Sequence, residues 1–458
     1  MQNKNDHQDA WTVALDNVLS RMEAAEMALA NQGPGRKSSG SYYTPADVAD
    51  HFWRLFWRHH GVNDQAAAIA FVERTTFVEP SIGAGIFFFS LLRSLADFGV
   101  GPDKACVIKF AAVDLNRAAL DVVAAQVRGL ELDFDVRFKG VELGQGDFLA
   151  WVQSRNFDNA VFVGNPPFVT NERGSRWKNL YADFVDSMLE HGNGAGIGLI
   201  LPVSVCFSRD FVDLRRLIRD SALPLSASSY DNMPDYLFKA GKPESGNTNK
   251  ANSQRCTILN LGGPRIGVVE SSALLRWSAS ERATFMASTP QFHDCRGYDL
   301  ERQIPRPVDD DLTRYLEDAS GSKTLRQFLS NIGRGAFAVG GVARNFIGIR
   351  EYEGKASGVI PVRTNERDSS LILLQILASS LFYKYWRSFG DGFHVTNDLI
   401  DRFPISSNLL RTCEQNLGLA AEAWEGREAF AKTKLNSGKT VKSYDFTPAF
   451  SKIGMAAA

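Results

Sequence analysis

Between about residue 70 and about residue 265, short unbroken apolar runs alternate with stretches whose apolar positions recur at helical spacing. TTFVEP is followed by GIFFFSLLRSLADF, IKFAAVDL by NRAALDVVAAQV, NAVFVGNPPF by LYADFVDSMLEHG, and GIGLILP by FVDLRRLIRDSA. Strands buried on both faces read as continuous apolar runs, and these do. Repeated strand-then-helix units predict an α/β fold built on a doubly wound, Rossmann-like parallel sheet. RCTILNLGG (255–263) is expected as its final strand. The stretch before it, KAGKPESGNTNKANSQ, has the Gly, Asn, Ser and Lys content of a surface insertion. Upstream, the spacing from Trp11 to Ala30 predicts an amphipathic helix, NQGPGRKSSGS (31–41) a linker, and ADVADHFWRLFWRHH a second helix. Beyond about residue 265 the alternation stops. The expected division is residues 1–40 as helix and linker, 41–265 as the sheet domain, and 266–458 as a mixed α/β second domain with a helical tail.

Composition changes this picture only by exclusion. Apolar residues at 44% and charged residues at 22% are those of an ordinary globular chain, and a net charge of −1 makes no global case for nucleic acid. Any nucleic-acid site is therefore a local patch. The five cysteines form no CxxC pair, which argues against a disulfide framework or a cysteine-ligated metal and suits a reducing cytoplasm. No apolar stretch reaches membrane-spanning length, and MQNKNDHQDA is too polar for a signal peptide. A cytoplasmic protein with no membrane partner and no metal is expected.

In an open parallel sheet, ligands sit outside the carboxyl ends of the strands. FVEPSIGAG ends one strand at Glu79 and turns through Pro80, Gly83 and Gly85, where glycines admit close backbone approach. The spacing is not GxGxxG, and an acid so near would oppose a pyrophosphate. AAVDLN ends the next strand at Asp114, suited to a ribose diol, followed by Leu115; a helix cap is the plainer duty for such an acid. GQGDFLAW places Asp147 and Phe148 after a third strand, and Asp147 alone reads equally as a cap. Capping accounts poorly for the whole series of acids at successive strand ends. A cationic ligand bearing a ribose and an adenine fits it better than a polyphosphate, and S-adenosyl-L-methionine is such a ligand.

The fourth strand ends in Asn165-Pro166-Pro167-Phe168. Proline fixes its own φ and restricts the residue before it, so Asn165 and Pro166 are held near extended geometry. The Asn165 side-chain oxygen and nearby backbone carbonyls become fixed acceptors for a planar amino group, and Phe168 offers a face for a planar heterocycle. An amine aimed at a sulfonium methyl needs no metal and no covalent enzyme intermediate.

With these motifs the chain resembles the S-adenosylmethionine-dependent amino-methyltransferases of class I fold, and within them the site-specific N6-adenine DNA methyltransferases of gamma-like motif order. The resemblance runs from about residue 36 to about residue 405. GSYYTP (40–45) looks like the family's N-terminal cofactor motif, implying roles for Tyr43, Thr44 and Pro45. EPSIGAG matches the methionine-binding loop, with Glu79 where many relatives have Asp. Asp114 matches the ribose-binding acid, Asp147 the acid near the cofactor's adenine amine, and NPPF the catalytic tetrapeptide. SSYDNMPDYLF resembles a segment lining the base pocket, which makes Tyr230 and Phe238 candidates there. ASSLFYKYWRSFGDGFHVTNDLIDRFPI (378–405) resembles a target-recognition region, although SLFYKYW itself reads as a core helix.

The resemblance implies duplex DNA as partner, extrusion of the target adenine, and stacking on Phe168. Arg173, Arg176 and Lys178 after NPPF, and Arg334, Arg344, Arg350 and Arg363 in the second domain, are eligible DNA contacts, each also readable as solvated surface charge. Restriction activity, if coupled to this chain, is expected on a separate restriction or defence-system subunit. The tetrapeptide also occurs in enzymes acting on guanine N2 of RNA and on a protein glutamine amide. A non-catalytic DNA-binding subunit with the same fold is the reading from another class, opposed by the joint presence of Asp114, Asp147 and Asn165.

Overall fold

The computed structural model describes residues 2–32, 44–155, 157, 159–192, 196–238, 254–330, 332–352, 354, 358–436, 439–451 and 453. Tyr43, most of the expected linker and the insertion up to residue 253 lie outside the described residues. The chain divides into two compact units, residues 1–271 with 275–304, and residues 272–274 with 305–458.

The first unit opens with α1 (Gln2–Gln32), α2 (Ala46–His60) and α3 (Gln65–Arg74). Then come β1 (Thr76–Glu79), α4 (Ile86–Asp97), β2 (Lys109–Asp114), α5 (Arg117–Phe134), β3 (Val141–Gln145) and α6 (Phe148–Gln153). They are followed by β4 (Ala160–Gly164), α7 (Leu180–His191), β5 (Gly196–Pro202), α8 (Val212–Asp220), β6 (Leu225–Tyr230) and β7 (Cys256–Leu261). β8 (Val269–Leu275), α9 (Arg282–Ala287) and β9 (Phe292–Asp294) close the sequence. The strands form one sheet in the order β3-β2-β1-β4-β5-β7-β6-β8-β9. β3, β2, β1, β4 and β5 are parallel, and order reverses between β1 and β4, which puts the switch point at the ends of those two strands. The α/β doubly wound sheet expected of a class I methyltransferase fold is the one present.

Two strands differ from expectation. β7 is not the final strand: it lies between β5 and β6, antiparallel to both, and β8 and β9 extend the sheet. β6, LSASSY, lacks the apolar run that marks its neighbours, yet all of its residues are buried. Hydroxyls are matched inside the sheet: Ser229 of β6 donates to Thr257 Oγ1 of β7 (3.2 Å), and the Thr257 hydroxyl donates to the Ser228 carbonyl (3.1 Å). Paired hydroxyls can be buried without a large desolvation cost, so polarity hid the strand.

On α2, Phe52, Trp53, Phe56 and Trp57 are buried together in the core. Burying a large apolar side chain contributes about 1.5–3 kcal/mol, and this helix supplies several. Gly198 in β5 admits the ridge: a Cβ there would sit 2.9 Å from the Phe52 ring and 3.1 Å from that of Phe56. The indole N–H groups of Trp53 and Trp57 donate to the Phe87 carbonyl and Ser94 Oγ, both at 3.0 Å, so α2 is pinned to α4. α1 lays Trp11, Leu15, Val18, Leu19 and Met22 into the same core, a stripe at helical spacing.

The second unit contains α10 (Asp310–Asp318), β10 (Arg334–Gly340), β11 (Ile349–Arg350), β12 (Val359–Thr364), α11 (Arg367–Leu377), α12 (Ser380–Phe389) and α13 (Asn397–Arg402). α14 (Ser407–Gln415), α15 (Leu417–Glu425), β13 (Ala431–Asn436) and β14 (Lys439–Tyr444) follow. The strands pair antiparallel in the order β12-β10-β11-β14-β13, so the tail expected to be helical also supplies two strands. Leu381, Phe382, Tyr385 and Trp386 of α12 are core, as the aromatic spacing of SLFYKYW indicated. Among the described residues no helix is long and apolar enough to cross a membrane.

Candidate active site

The parallel strands deliver Glu79, Asp114 and Asn165 to neighbouring carboxyl ends in the first unit. Between β1 and α4 the chain turns through Ser81–Gly85, with Gly83 and Gly85 at φ of 52° and 86°. Three bonds close this loop. Gly83 N–H donates to Asp114 Oδ2 (2.9 Å), Ala84 N–H to Glu26 Oε1 (2.8 Å), and Gly85 N–H to the Ile82 carbonyl (2.9 Å). Loop amides that would cradle a phosphate are therefore already bonded, two of them to carboxylates. Donor-poor and acid-rich, the site suits a cation rather than a pyrophosphate.

Asp114 does not cap the helix that follows it. Asn116 does that, accepting from Ala118 N–H at 3.0 Å, and Asp114 Oδ1 takes Asn116 N–H at 2.8 Å. Leu115 beside it is 68% exposed, an apolar surface at the edge of the acid cluster. Asp147, in contrast, caps α6 by accepting from Leu149 N–H at 3.1 Å, and its other oxygen is ion-paired with Arg173. Phe148 is buried, stacked on Phe184 at 4.9 Å between centroids.

Glu79 is buried, and its Oε2 has no hydrogen-bond partner among the described residues. Burial pushes its carboxyl well above the usual range, and the Glu26 and Asp114 carboxylates add to the shift. Glu26 itself comes from α1 and is pushed up to about 8, chiefly by burial, with Asp114 adding and the Ala84 N–H opposing. The sequence reading missed Glu26. It continues the apolar stripe of Trp11, Leu15, Val18 and Met22, and a carboxylate on the inward face of an amphipathic helix is the signal that marks it.

Thr44 is buried and accepts from Asn165 Nδ2 at 3.2 Å, while Ser81 Oγ donates to the Asn165 carbonyl at 3.5 Å. The N-terminal motif, the glycine loop and NPPF are thereby tied together. Pro45 precedes α2 as its N-cap, and Glu23 of α1 accepts from Ala46 N–H at 2.7 Å. Pro80 and Pro166 are buried and Pro167 half-buried. Phe168 is half-buried, edge-on to Tyr181 and Phe238 with centroids at 6.1 and 6.2 Å. The structure brings Phe238 to Phe168 but not Tyr230. Tyr230 is fully buried, its hydroxyl 2.7 Å from His51 Nε2 and its ring against Trp277 and Phe285.

The basic candidates after NPPF are all ion-paired: Arg173 with Asp147, Arg176 with Asp186 (2.6 Å) and Lys178 with Asp210 (2.9 Å). In the second unit Arg344 is exposed, its guanidinium 5.8 Å from the Phe393 ring. Arg363 donates to the Tyr352 hydroxyl at 3.0 Å. Arg350 is half-buried, with its guanidinium held below its ordinary value by burial. Arg334 opens β10, and its side chain lies outside the described residues.

No family model matches the chain, and no curated protein matches it. Among solved structures it is similar to the DrdV–DNA complex, with TM-score 0.45 and 14% identity over 71% of this chain and 37% of that one. It is similar to the Type IIL restriction-modification enzyme MmeI in complex with DNA, with TM-score 0.48 and 12% identity over 85% and 72% of the two chains. A type I restriction-modification methyltransferase subunit from Streptococcus thermophilus gives TM-score 0.35 and 16% identity over 54% and 52%. This chain thus spans little more than a third of the DrdV chain. At these values the likenesses describe neighbours and carry no function across.

Proposed function

We propose that this chain is a site-specific DNA methyltransferase that transfers a methyl group from S-adenosyl-L-methionine to N6 of an adenine flipped out of duplex DNA, within a restriction-modification or related defence system. The observation that carries the reading is the glycine loop, whose Gly83 and Ala84 amides are taken by Asp114 and Glu26 beside the buried Glu79, and whose Ser81 donates to the carbonyl of Asn165 at the neighbouring strand end. The residues fit the cofactor by their chemistry. An acid-lined pocket takes a sulfonium and an ammonium, Asp114 takes a ribose diol, and Leu115 offers apolar surface to an adenine ring. When bound, S-adenosylmethionine supplies an electrophilic methyl group.

The remaining work belongs to the chain. Because Asn165 Nδ2 donates to Thr44, the carbonyl limb of the amide is oriented as an acceptor. Together with the Pro166 carbonyl it receives the hydrogens of the target amine and aligns its lone pair. The two prolines hold that geometry without induced ordering. Positioning of this kind is the main contribution expected in a direct methyl transfer. Phe168 stacks the extruded base, which is worth roughly 1–3 kcal/mol against the cost of unstacking. The second unit, with Arg344, Arg350 and Arg363, is the proposed DNA-reading part. Arg173, Arg176 and Lys178 would exchange carboxylates for phosphates on association.

The test is transfer of radiolabel from S-adenosylmethionine to mixed-sequence duplex DNA, followed by nucleoside analysis. Label is expected in N6-methyladenine and is expected to fall by about 10²-fold or more in Asn165→Ala. Label in RNA or protein instead would move the substrate. Cofactor binding with no transfer to any of the three would reassign the chain to a subunit that does not itself methylate.

A further inference from the structure

α1 reaches the cofactor loop from a part of the chain far from every strand end. Its Glu26 carboxylate bonds to Ala84 N–H across 58 residues of sequence, and a Cβ on Gly83 would lie 2.7 Å from Glu26 Oε1. The side chain therefore fills the space that the Gly83 turn leaves open. One helical turn earlier, Glu23 accepts from Ala46 N–H, directly after the Thr44–Pro45 segment that holds Asn165. α1 is thus fastened to both loops that flank the acid-rich end of the site. Glu79, buried and with Oε2 unmatched among the described residues, faces the same field of charge as Glu26 and Asp114. A buried carboxyl oxygen without a donor is costly unless a ligand brings one. Ala84 N–H engages one oxygen of Glu26.

We infer that Glu26 is a cofactor ligand supplied by α1: with Glu79 it binds the α-ammonium group at the amino-acid end of the cofactor, so the N-terminal helix is a wall of the pocket rather than an external support. The inference rests on the S-adenosylmethionine reading above and adds a residue and an element to it. An ammonium brings three N–H donors and a full positive charge, which matches an unmatched Glu79 oxygen and the Glu26 carboxylate.

The test is calorimetric binding to the full chain, wild type and Glu26→Gln, of three ligands: S-adenosylhomocysteine, its desamino analogue, and 5′-methylthioadenosine, which lacks the amino-acid end. Gln keeps the acceptor for Ala84 N–H and removes the charge. Wild type is expected to bind S-adenosylhomocysteine about tenfold or more tightly than the desamino compound, the usual worth of a charge-assisted hydrogen bond. Glu26→Gln is expected to lose about the same factor for S-adenosylhomocysteine, to be indifferent to the missing amine, and to bind 5′-methylthioadenosine as wild type does. Equal weakening for all three ligands would make Glu26 a structural buttress and overturn the inference. So would tighter binding in the variant, which would mark Glu26 as an occupant that the cofactor displaces. The wild-type comparison of the amino and desamino ligands stands even if the variant folds poorly, and equal affinities there would also overturn it. Failure of wild type to bind any of the three would instead overturn the S-adenosylmethionine reading, and this inference with it.

Discussion

Asp114 and Asp147 occupy matching places, each after a parallel strand and before a helix, yet they do different work. After β2 the chain reads Asp114-Leu115-Asn116, and Asn116 caps α5, so Asp114 is released from capping and turns to the glycine loop. After β3 the helix starts directly behind Asp147, which must cap it, and Arg173 holds the second oxygen. Two extra residues between acid and helix separate the cap from the loop-bonded acid in one case. Their lack merges the two duties in the other. The same residue type at the same topological position can thus be committed to the glycine loop or to a helix cap, and the phase of the following helix decides which.

The largest expected effect falls on the separated site. Asp114→Ala should weaken S-adenosylhomocysteine binding on the order of 10²-fold, since it removes a charged acceptor and also frees the Gly83 amide. An unchanged dissociation constant would end the contrast. The next largest concerns pH. Glu26 has a folded value of about 8, above its ordinary value of 4.5, so its stabilising contribution is complete below about pH 4.5 and is lost as pH rises through about 8. Urea midpoints of wild type should therefore fall between those limits, and Glu26→Gln should flatten the fall, by up to a few kcal/mol given about 1.4 kcal/mol per pH unit. Glu79, held well above its usual range, and buried Asp50, raised to about 6, would keep some slope in the variant.

A paired substitution sharpens the comparison itself. Asn116→Ala and Asp147→Ala should each cost about 1 kcal/mol in urea unfolding through a lost cap. Only Asp147→Ala should also weaken 5′-methylthioadenosine, if the cap there is also the acid proposed to face the adenine. The smallest effect is expected from Arg173→Ala, a several-fold gain in affinity for the same ligand, as the ion pair over Asp147 no longer has to open. A loss in that titration would show that Arg173 contacts the ligand.

Much of this was legible along the chain. The apolar runs located β1, β2, β4 and β5, and the helical spacing over residues 46–60 matches α2 at both ends. The strand-end positions of Glu79, Asp114 and Asn165 were legible because a strand end is a local event: an apolar run stops, and a turn residue follows. β6 was not legible, because the Ser229 hydroxyl finds its partner in Thr257 of the neighbouring strand, far along the chain. Tyr230 reads as a pocket aromatic by its neighbours in sequence, but its partner is His51, on a helix that precedes the first strand.

The sequence by itself determined the strand-and-helix alternation and the φ-restricted Asn165-Pro166-Pro167 corner. Both follow from φ restriction or hydrophobic period that acts within a few residues. Only the tertiary structure decided that β7 runs antiparallel between β5 and β6, that Arg173 covers Asp147, and that Glu26 lies on the glycine loop. Those choices depend on register and on which faces meet. A carboxylate on an apolar stripe acquires its meaning only from the backbone amide and the neighbouring charges against which the fold buries it.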